Sequence, residues 1–129
     1  MTAANDLPSL SEVQWEIMNF IWDRSACSVA EVWKTLKTRR GVSRNTVQTL
    51  IVRLEEKGWL AHREEAGSYL YFPTVSREES QRSSVRRFIK TVFDGSSEGL
   101  VLTLLQGAVS KTEAERIRKL IDSETRKKS

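Results

Sequence analysis

The sequence predicts a mainly α-helical chain with one small β-hairpin, and three observations support that fold class. Apolar residues recur at three- and four-residue spacing through most of the 129 residues, which is typical of helices with one buried face. Four segments open with Ser followed three residues later by Glu or Gln, a pairing that caps helix N-termini. Residues 59–73 instead contain two short β-prone runs around a glycine-containing turn.

The first two helices begin at capping pairs. Ser11 and Gln14 predict a helix over about 11–24, and Ser28 opens a second helix over about 28–38. The first helix is apolar on so much of its circumference that we expect neighbours on more than one side. The tryptophans are interpreted as core residues because large aromatic side chains dominate small cores; they are Trp15, Trp22, Trp33 and Trp59.

A third helix is predicted between Ser43, a favourable N-cap, and Gly58. Its predicted buried face consists of Val47, Leu50, Ile51 and Leu54. The opposite face carries short polar, amide and guanidinium groups, which read base edges in the major groove of DNA, whereas solvated faces favour Glu and Lys. We therefore interpret this segment as a DNA-recognition helix with the candidate contacts Ser43, Arg44, Asn45, Thr46, Gln48, Thr49 and Arg53. The alternative is a polar solvated face.

The third helix lacks the capping pair that opens the others. Its N3 position is Thr46, and Arg44 occupies the first turn in place of an acid. Acids at helix N-termini contribute about 0.3–1 kcal/mol of stabilisation. We hypothesise that this helix start is left open for a phosphate or a base, with chance as the alternative.

Positive charge is concentrated around this helix. Residues 32–54 contain six basic residues and no acid, although residues 1–75 hold nine Lys or Arg against nine Asp or Glu. Lys37, Arg39 and Arg40 are candidate phosphate contacts, which need charge but little geometry. For Lys37 a solvated loop is the alternative.

The predicted hairpin pairs residues 59–63 with 69–73. Three helices followed by a hairpin is the order of a winged helix-turn-helix, which we assign to residues 1–75. Arg63, Ser68 and Tyr69 are candidate phosphate contacts in the wing. Since Glu64 and Glu65 would oppose deep entry into a minor groove, we expect weaker contacts from the wing than from the third helix.

Residues 76–129 are predicted to form a helical dimerisation domain. A helix over about 76–94 starts at Ser76, an apolar segment spans 100–105, and a last helix opens at Ser110. These few helices cannot bury both sides of their apolar rows, so a two-fold dimer is the economical explanation. The candidate interface residues are Val85, Phe88, Ile89, Val92, Leu100, Leu102, Leu105, Ile117, Leu120 and Ile121.

Catalytic and metal-binding functions lack support in the sequence. Cys27 and His62 are the single examples of their types, whereas a nucleophile needs a positioned base and a zinc site about four ligands. We expect no enzyme activity, no cofactor and no metal. The first residues lack a signal-peptide pattern and no apolar run would span a membrane, so a cytoplasmic protein without membrane insertion is expected.

The sequence resembles the penicillinase and methicillin-resistance repressors, the BlaI/MecI/CopY type. The resemblance is carried by residues 10–22, 42–54 and 56–59, and it continues through 69–71 and 99–102. It implies a winged helix with a helical dimerisation domain that binds palindromic double-stranded operator DNA as a homodimer and represses transcription in bacteria.

The resemblance also implies a mode of induction. In antibiotic-response members, a membrane sensor-protease signal leads to cleavage within the dimerisation segment, and the corresponding bond is Thr103–Leu104. Relatives are usually cut between Asn and an aromatic residue, from which this Thr-Leu pair departs. The cysteine-rich copper motif of another branch is absent, since residues 95–129 contain no Cys or His.

The residues alone leave two other functions possible. One is a ligand-sensing winged-helix regulator, with a small-molecule pocket near Trp22 or Phe88 at the junction of wing and dimer helices. The other is a protein-interaction module that uses the winged fold without DNA. A packed interface would count against the first, and loss of DNA binding on substitution of Arg44 or Gln48 would exclude the second.

Overall fold

The computed structural model describes residues 7–128 as six α-helices, a π-helical segment and one antiparallel hairpin. In chain order these are α1 Glu12–Arg24, α2 Val29–Arg40, α3 Arg44–Glu56, β1 Leu60–Glu65, β2 Ser68–Pro73, α4 Arg77–Val92, α5 Ser97–Thr103, the π-helical segment Leu104–Ala108 and α6 Lys111–Lys128. The predicted order of three helices, a hairpin and further helices is confirmed. Positions 1–6 and 129 of the predicted domains lie outside the described residues.

The chain divides into two compact units within α4, the first ending at Ser84 and the second beginning at Val85. The first unit contains the three helices and the hairpin of the winged helix-turn-helix. The second contains the rest of α4, α5, the π-helical segment and α6. The domain boundary expected after residue 75 stays a prediction.

Serine side chains cap the helices where the sequence predicts. Ser11 Oγ accepts the N–H of Gln14 at 3.2 Å, and Gln14 Oε1 accepts the N–H of Ser11 at 3.0 Å. Ser28 and Glu31 form the same reciprocal pair. The sequence reasoning missed one cap, at α5, where Ser96 Oγ accepts the N–H of Gly99 at 2.9 Å.

One hydrophobic core joins α1, α2, α3 and the hairpin. The apolar positions predicted from helical periodicity form most of it: Ile17 and Ile21 of α1, Val32 and Leu36 of α2, and Val47, Ile51 and Leu54 of α3 are all buried. Trp59 is also buried, whereas Trp15, Trp22 and Trp33 are half-buried at the edge of this core. Leu50, also predicted on the buried face of α3, is half-buried against this core. Burial of this face leaves the opposite face of α3 directed outward.

The hairpin closes through a two-residue turn. Glu65 pairs with Ser68, and the intervening Ala66 and Gly67 have φ angles of 51° and 79°. Two positive φ angles are the geometry of a type I′ turn, whose twist matches that of the flanking strands. The strands therefore extend closer to the tip than predicted. Cys27, ahead of α2, exchanges backbone hydrogen bonds of 2.9 and 2.8 Å with Tyr71 and so ties β2 to the helices.

The segment before α1 packs against the end of α3. Leu7 is buried, and a Cβ on Gly58 would lie 3.1 Å from Leu7 Cδ2. Gly58 also has a φ angle of 89°, so both the backbone and the packing favour glycine here. The indole Nε1 of Trp59 donates to the carbonyl oxygen of Pro8 at 2.9 Å, which holds this segment in place.

The unit beginning at Val85 has no buried side chain among its described residues 85–128. Its apolar side chains are not covered by the rest of the chain. Those about half exposed are Val85, Phe88, Val92, Leu102, Leu105, Leu120 and Ile121. Ile89, Leu100 and Ile117, also predicted at a dimer interface, have intermediate burial. None of the helices in residues 7–128 combines the length and apolar character needed to cross a membrane.

Candidate nucleic-acid interface

The outward face of α3 presents the residues that the sequence singles out. Every candidate contact on this helix is exposed: Ser43, Arg44, Asn45, Thr46, Gln48, Thr49 and Arg53. Shallow grooves along the helix surface are lined by these side chains, except that of Arg44, together with Leu50, Val52 and Glu56. The polar side chains are therefore accessible over the whole length of α3.

Hydrogen bonds divide the polar residues of this face into two groups. The hydroxyls are used locally, since Ser43 Oγ accepts the N–H of Thr46 at 3.1 Å and lies 2.9 Å from Thr46 Oγ1. Thr49 Oγ1 donates to the carbonyl oxygen of Asn45 at 3.0 Å. The helix start is thus capped by hydroxyls, but its first turn contains no acid.

The amide and guanidinium groups make up the second group. Within the part of the chain that the structure describes, the side chains of Arg44, Asn45, Gln48 and Arg53 have no hydrogen bond or ion pair. Guanidinium groups bind guanine bidentately and amides bind adenine bidentately in the major groove. These four side chains can therefore form such pairs without first breaking an internal contact.

The connection between α2 and α3 sets where this face begins. Gly41 ends α2 with a φ angle of 66°, and its N–H donates to the carbonyl oxygen of Lys37 at 3.0 Å. This left-handed position allows the chain to turn from one helix into the next. Val42 follows, and its carbonyl oxygen accepts a hydrogen bond from the indole of Trp33 in α2.

A cleft of about 330 Å³ joins α3 to the wing and to the start of α2. Arg44 and Gln48 line it from α3, and Ser68 and Tyr69 line it from the hairpin. Predicted contacts from two distant stretches of sequence are thus brought together. The third wall, residues 28–30 at the N-terminus of α2, was missed, because the Ser28 capping pair indicated only where a helix begins.

The wing separates its predicted contacts between its two faces. Tyr69 is about half exposed and lies beside His62, with ring centroids 4.5 Å apart. His62 Nδ1 lies 2.6 Å from Glu55 Oε2 of α3, so this face is turned towards α3. Successive side chains of a strand point to opposite faces, so Arg63 lies on the other face from His62. There it pairs with Glu65 at 3.1 Å. Tyr69 and Ser68, which lies at the tip of the hairpin, both line the cleft shared with α3, whereas Arg63 does not.

The basic residues at the end of α2 are also divided. Arg40 forms an ion pair with Glu16 of α1. Lys37 Nζ lies 4.4 Å from the ring centroid of Trp33, a cation–π distance. Arg39 lines a second cleft, of about 260 Å³, with α1 residues that include Glu16 and Asp23. Two of these three cations thus have intramolecular partners, in contrast to Arg44 and Arg53 on α3.

Two ionisable groups beneath the wing are held in their neutral forms. Burial raises the pKa of the Cys27 thiol to about 11, and the nearby Glu31 adds to the effect. Burial also raises the pKa of Tyr71, helped by Glu55 and Tyr69. Because both groups lie where β2 joins the helices, an uncharged thiol and phenol allow the hairpin to pack there.

The peptide bond Thr103–Leu104, which the resemblance predicts at the cleavage position, lies between two helical types. Thr103 ends α5 and Leu104 begins the π-helical segment. Both side chains are exposed, and Thr103 Oγ1 donates to the carbonyl oxygen of Gly99 at 2.9 Å. A protease would have to unwind this helical backbone before cutting it.

Known repressors are similar to this chain in sequence and fold. Methicillin resistance regulatory protein MecI of Mammaliicoccus sciuri is 27% identical over 119 residues, covering 92% of this chain and 97% of the relative. The penicillinase repressor of Bacillus licheniformis is 29% identical over 100 residues, or 78% of each chain. The solved monomeric form of Bacillus licheniformis BlaI, in complex with the blaP half-operator, is 33% identical with a TM-score of 0.51, covering 57% of this chain and 89% of that chain.

The family assignment covers most of the sequence. Residues 10–123 match the family described as penicillinase repressor, which spans both the winged helix-turn-helix and the helices that follow it. This is a family of repressors and not of enzymes. The chain belongs to the penicillinase repressor family.

Proposed function

We propose that this protein is a transcriptional repressor that binds a two-fold symmetric DNA operator as a homodimer. The observation that carries the proposal is the outward face of α3, where Arg44, Asn45, Gln48 and Arg53 are exposed and unpaired within the described residues. Membership of the penicillinase repressor family supports the same function. We place the protein in the cytoplasm, where its DNA target would be.

The recognition helix α3 enters the major groove in this proposal. Asn45 and Gln48 form bidentate pairs with adenine, while Arg44 and Arg53 bind guanine or phosphate. Ser68 and Tyr69 of the wing contact the backbone beside the cleft that they share with α3. Because the phosphate contacts release counterions, affinity falls steeply with salt.

One protomer occupies each half of the operator. The related BlaI is solved as a monomer on a half-operator, which supports a single winged helix as the unit of half-site binding. Two such units on a symmetric site place their α3 helices in successive major grooves, about one helical turn apart. Occupation of a promoter by this dimer blocks transcription.

The open apolar rows of the second unit form the dimer interface in this proposal. Seven large apolar side chains between Val85 and Ile121 are about half exposed within one chain. A contiguous exposed apolar surface marks an interaction site, and a second copy buries the same rows in a two-fold arrangement. Loss of the interface would leave each protomer with only half of the DNA contacts.

Substitution of α3 residues tests the DNA-binding proposal. Arg44→Ala and Gln48→Ala should each weaken binding to a specific duplex by about 1–3 kcal/mol, because each truncation removes a contact to a base or phosphate. Arg40→Ala is the matched control, since Arg40 is already paired with Glu16. Fluorescence anisotropy on a duplex selected from a randomised library measures all three. Equal losses for Arg44→Ala and Arg40→Ala would contradict the assignment to α3.

A charge introduced into the apolar rows tests the dimer. Leu120→Glu should shift the protein towards a monomer in sedimentation velocity, because Leu120 is 61% exposed in a single chain and would be buried by a second copy. Lys119→Glu introduces the same side chain on the opposite face of α6 and should leave the dimer intact. A wild-type monomer at micromolar concentration would overturn the dimer proposal.

Proteolysis within the second unit would relieve repression in this proposal. A cut at Thr103–Leu104 would separate α6 from the rest of the chain and remove Leu105, Ile117, Leu120 and Ile121 from the interface. Intact-mass analysis of the protein from β-lactam-treated host cells should then show fragments 1–103 and 104–129. An uncut chain during derepression would exclude this route.

A ligand-sensing regulator is not favoured as the alternative. Within the first unit, the cleft of about 330 Å³ is bordered by the exposed Arg44 and Gln48 on the proposed DNA face. Small-molecule sites are enclosed and mostly apolar. This cleft suits the DNA backbone better than a small organic ligand.

A further inference from the structure

Val52 is an apolar residue on the otherwise polar outward face of α3. Its side chain is 39% exposed, and only Tyr69 accompanies it as an exposed large apolar side chain among residues 7–84. Isolated apolar residues are common on protein surfaces, so exposure alone carries little weight. The position is more informative, because Val52 lines a shallow groove with the side chains of Asn45 and Gln48.

Thr49 adds a second apolar group to the same groove. Its hydroxyl donates to the carbonyl oxygen of Asn45 at 3.0 Å, so its donor is already used within the helix. Its oxygen can still accept a hydrogen bond, and beside it the side chain presents a methyl group. Residues three apart are neighbours on a helix surface, and we call the methyl groups of Thr49 and Val52 the methyl patch.

The chemistry of the major groove gives this patch one suitable partner. Among the four bases only thymine presents a methyl group there, at C5, and apolar side chains discriminate thymine through it. Amide side chains such as Asn45 and Gln48 favour adenine in the same groove. A patch of methyls beside two amides therefore matches a sequence in which thymine and adenine are close together.

We propose that the methyl patch of Thr49 and Val52 determines operator specificity by binding the 5-methyl group of a thymine in each half-site. This inference rests on the proposed entry of α3 into the major groove. It gives Val52 a role in recognising the thymine methyl group, which cannot form a hydrogen bond. Burial of one methyl contributes about 0.8 kcal/mol, which corresponds to about a fourfold change in affinity.

Replacement of thymine by deoxyuridine tests the proposal, because it removes only the 5-methyl group and leaves every hydrogen-bonding group of the base pair. The probe is a duplex recovered by the full-length protein from a randomised library. Each thymine is then replaced in turn, and affinity is measured by fluorescence anisotropy. At one thymine per half-site the replacement should weaken binding about fourfold.

Variants of the protein link that loss to the methyl patch. Thr49→Ser keeps the hydroxyl and removes the methyl, and Val52→Ser removes both methyl groups of the valine. The double variant should bind thymine and deoxyuridine duplexes equally well. Because both sites are exposed, its thermal unfolding should match that of the wild type, which separates a specific effect from loss of the fold.

The possible failures are distinguishable. If no sequence is enriched from the library, the proposed DNA-binding function itself is wrong. If a sequence is enriched but no deoxyuridine replacement weakens binding, the methyl-patch inference is overturned while DNA binding stands. A deoxyuridine penalty that persists unchanged in the double variant would likewise overturn it, because another part of the protein would then contact the methyl.

Discussion

The indole Nε1 of Trp33 donates a hydrogen bond of 3.2 Å to the carbonyl oxygen of Val42. Val42 directly precedes Ser43, the residue whose side chain caps α3. A side chain in the middle of α2 thus holds the backbone at the point where the proposed recognition helix begins. This contact connects the core of the winged helix to the orientation of its DNA-binding face.

Trp33→Phe should weaken specific DNA binding without unfolding the protein. The variant keeps an aromatic ring but loses the N–H, so the Val42 carbonyl loses its partner at a cost of about 1 kcal/mol of unfolding free energy. Because the start of α3 is then less constrained, we expect a larger loss in operator affinity than in affinity for random duplex. Denaturant unfolding and anisotropy measure the two effects.

Trp59→Phe is the control for Trp33→Phe. It removes the comparable hydrogen bond from Trp59 to the carbonyl oxygen of Pro8, ahead of α1. Because Trp59 is buried whereas Trp33 is half-buried, the stability loss should be at least as large, but the ratio of specific to non-specific affinity should be unchanged. If both variants lower that ratio equally, Trp33 has no particular role in placing α3.

Thr46→Glu should stabilise the fold and weaken DNA binding. A glutamate at this N3 position completes a capping pair with Ser43 and places an acid in a first turn that has none. We expect a gain of about 0.3–1 kcal/mol in unfolding free energy and a loss of affinity from repulsion of phosphate. Thermal unfolding and anisotropy at two salt concentrations test this pair of effects.

Thr46→Gln separates capping from charge. Glutamine can complete the same pair with Ser43 but does not repel phosphate, so it should retain more affinity than glutamate at low salt. A Thr46→Glu variant with higher stability and unchanged affinity would mean that the helix start is not near the DNA backbone.

Replacing the wing acids with lysine should strengthen binding to random duplex. Glu64 lies opposite Tyr69, and Glu65 lies opposite Ser68 and pairs with Arg63. Glu65→Lys therefore adds one cation and also frees Arg63 from its ion pair. Its gain in affinity at low salt should exceed that of Glu64→Lys. The exposed Glu115 of α6 is the control for net charge, since Glu115→Lys changes it equally. No gain in the wing variants over this control would show that the wing does not approach DNA.

Cys27 should be unreactive in the folded protein. Its thiol is fully buried and has a pKa of about 11 instead of 9.0. At pH 8 its thiolate fraction is thus about a hundredfold lower than in the unfolded chain, and alkylation by iodoacetamide should be slower by at least that factor. Urea should restore the rate. Rapid alkylation without urea would contradict burial of this thiol.

The raised pKa of Cys27 also predicts a loss of stability at alkaline pH. Between about pH 9 and 11 the unfolded chain releases the thiol proton while the folded chain retains it, so the unfolding free energy falls as pH rises through this window. Cys27→Ala should reduce the slope. The pKa of Tyr71 is also raised, so Tyr71 should account for part of the pH dependence that remains in the Cys27→Ala variant.

The order of elements and the outward face of α3 followed from the sequence alone. Serine caps and apolar spacing are local signals, because a helix repeats every 3.6 residues and its buried side shows in the spacing. Val47, Ile51 and Leu54 therefore predicted which side of α3 is buried, and the structure confirms it. The hairpin was also predictable, although its strands are longer at the tip and its turn is shorter than the sequence predicted.

The partners of the basic residues were decided only by the tertiary structure. Lys37, Arg40 and Arg44 look alike as cations in one acid-free stretch, yet Arg40 is paired with Glu16, which lies 24 residues away in sequence, while Arg44 is unpaired within the described residues. Strand alternation likewise placed Arg63 on the face opposite Tyr69. The sequence determined which charged residues could bind DNA phosphate. Packing of distant segments determined which of them lack an intramolecular partner among the described residues. The reason is that ion pairs and clefts depend on distance in space and not on chain order.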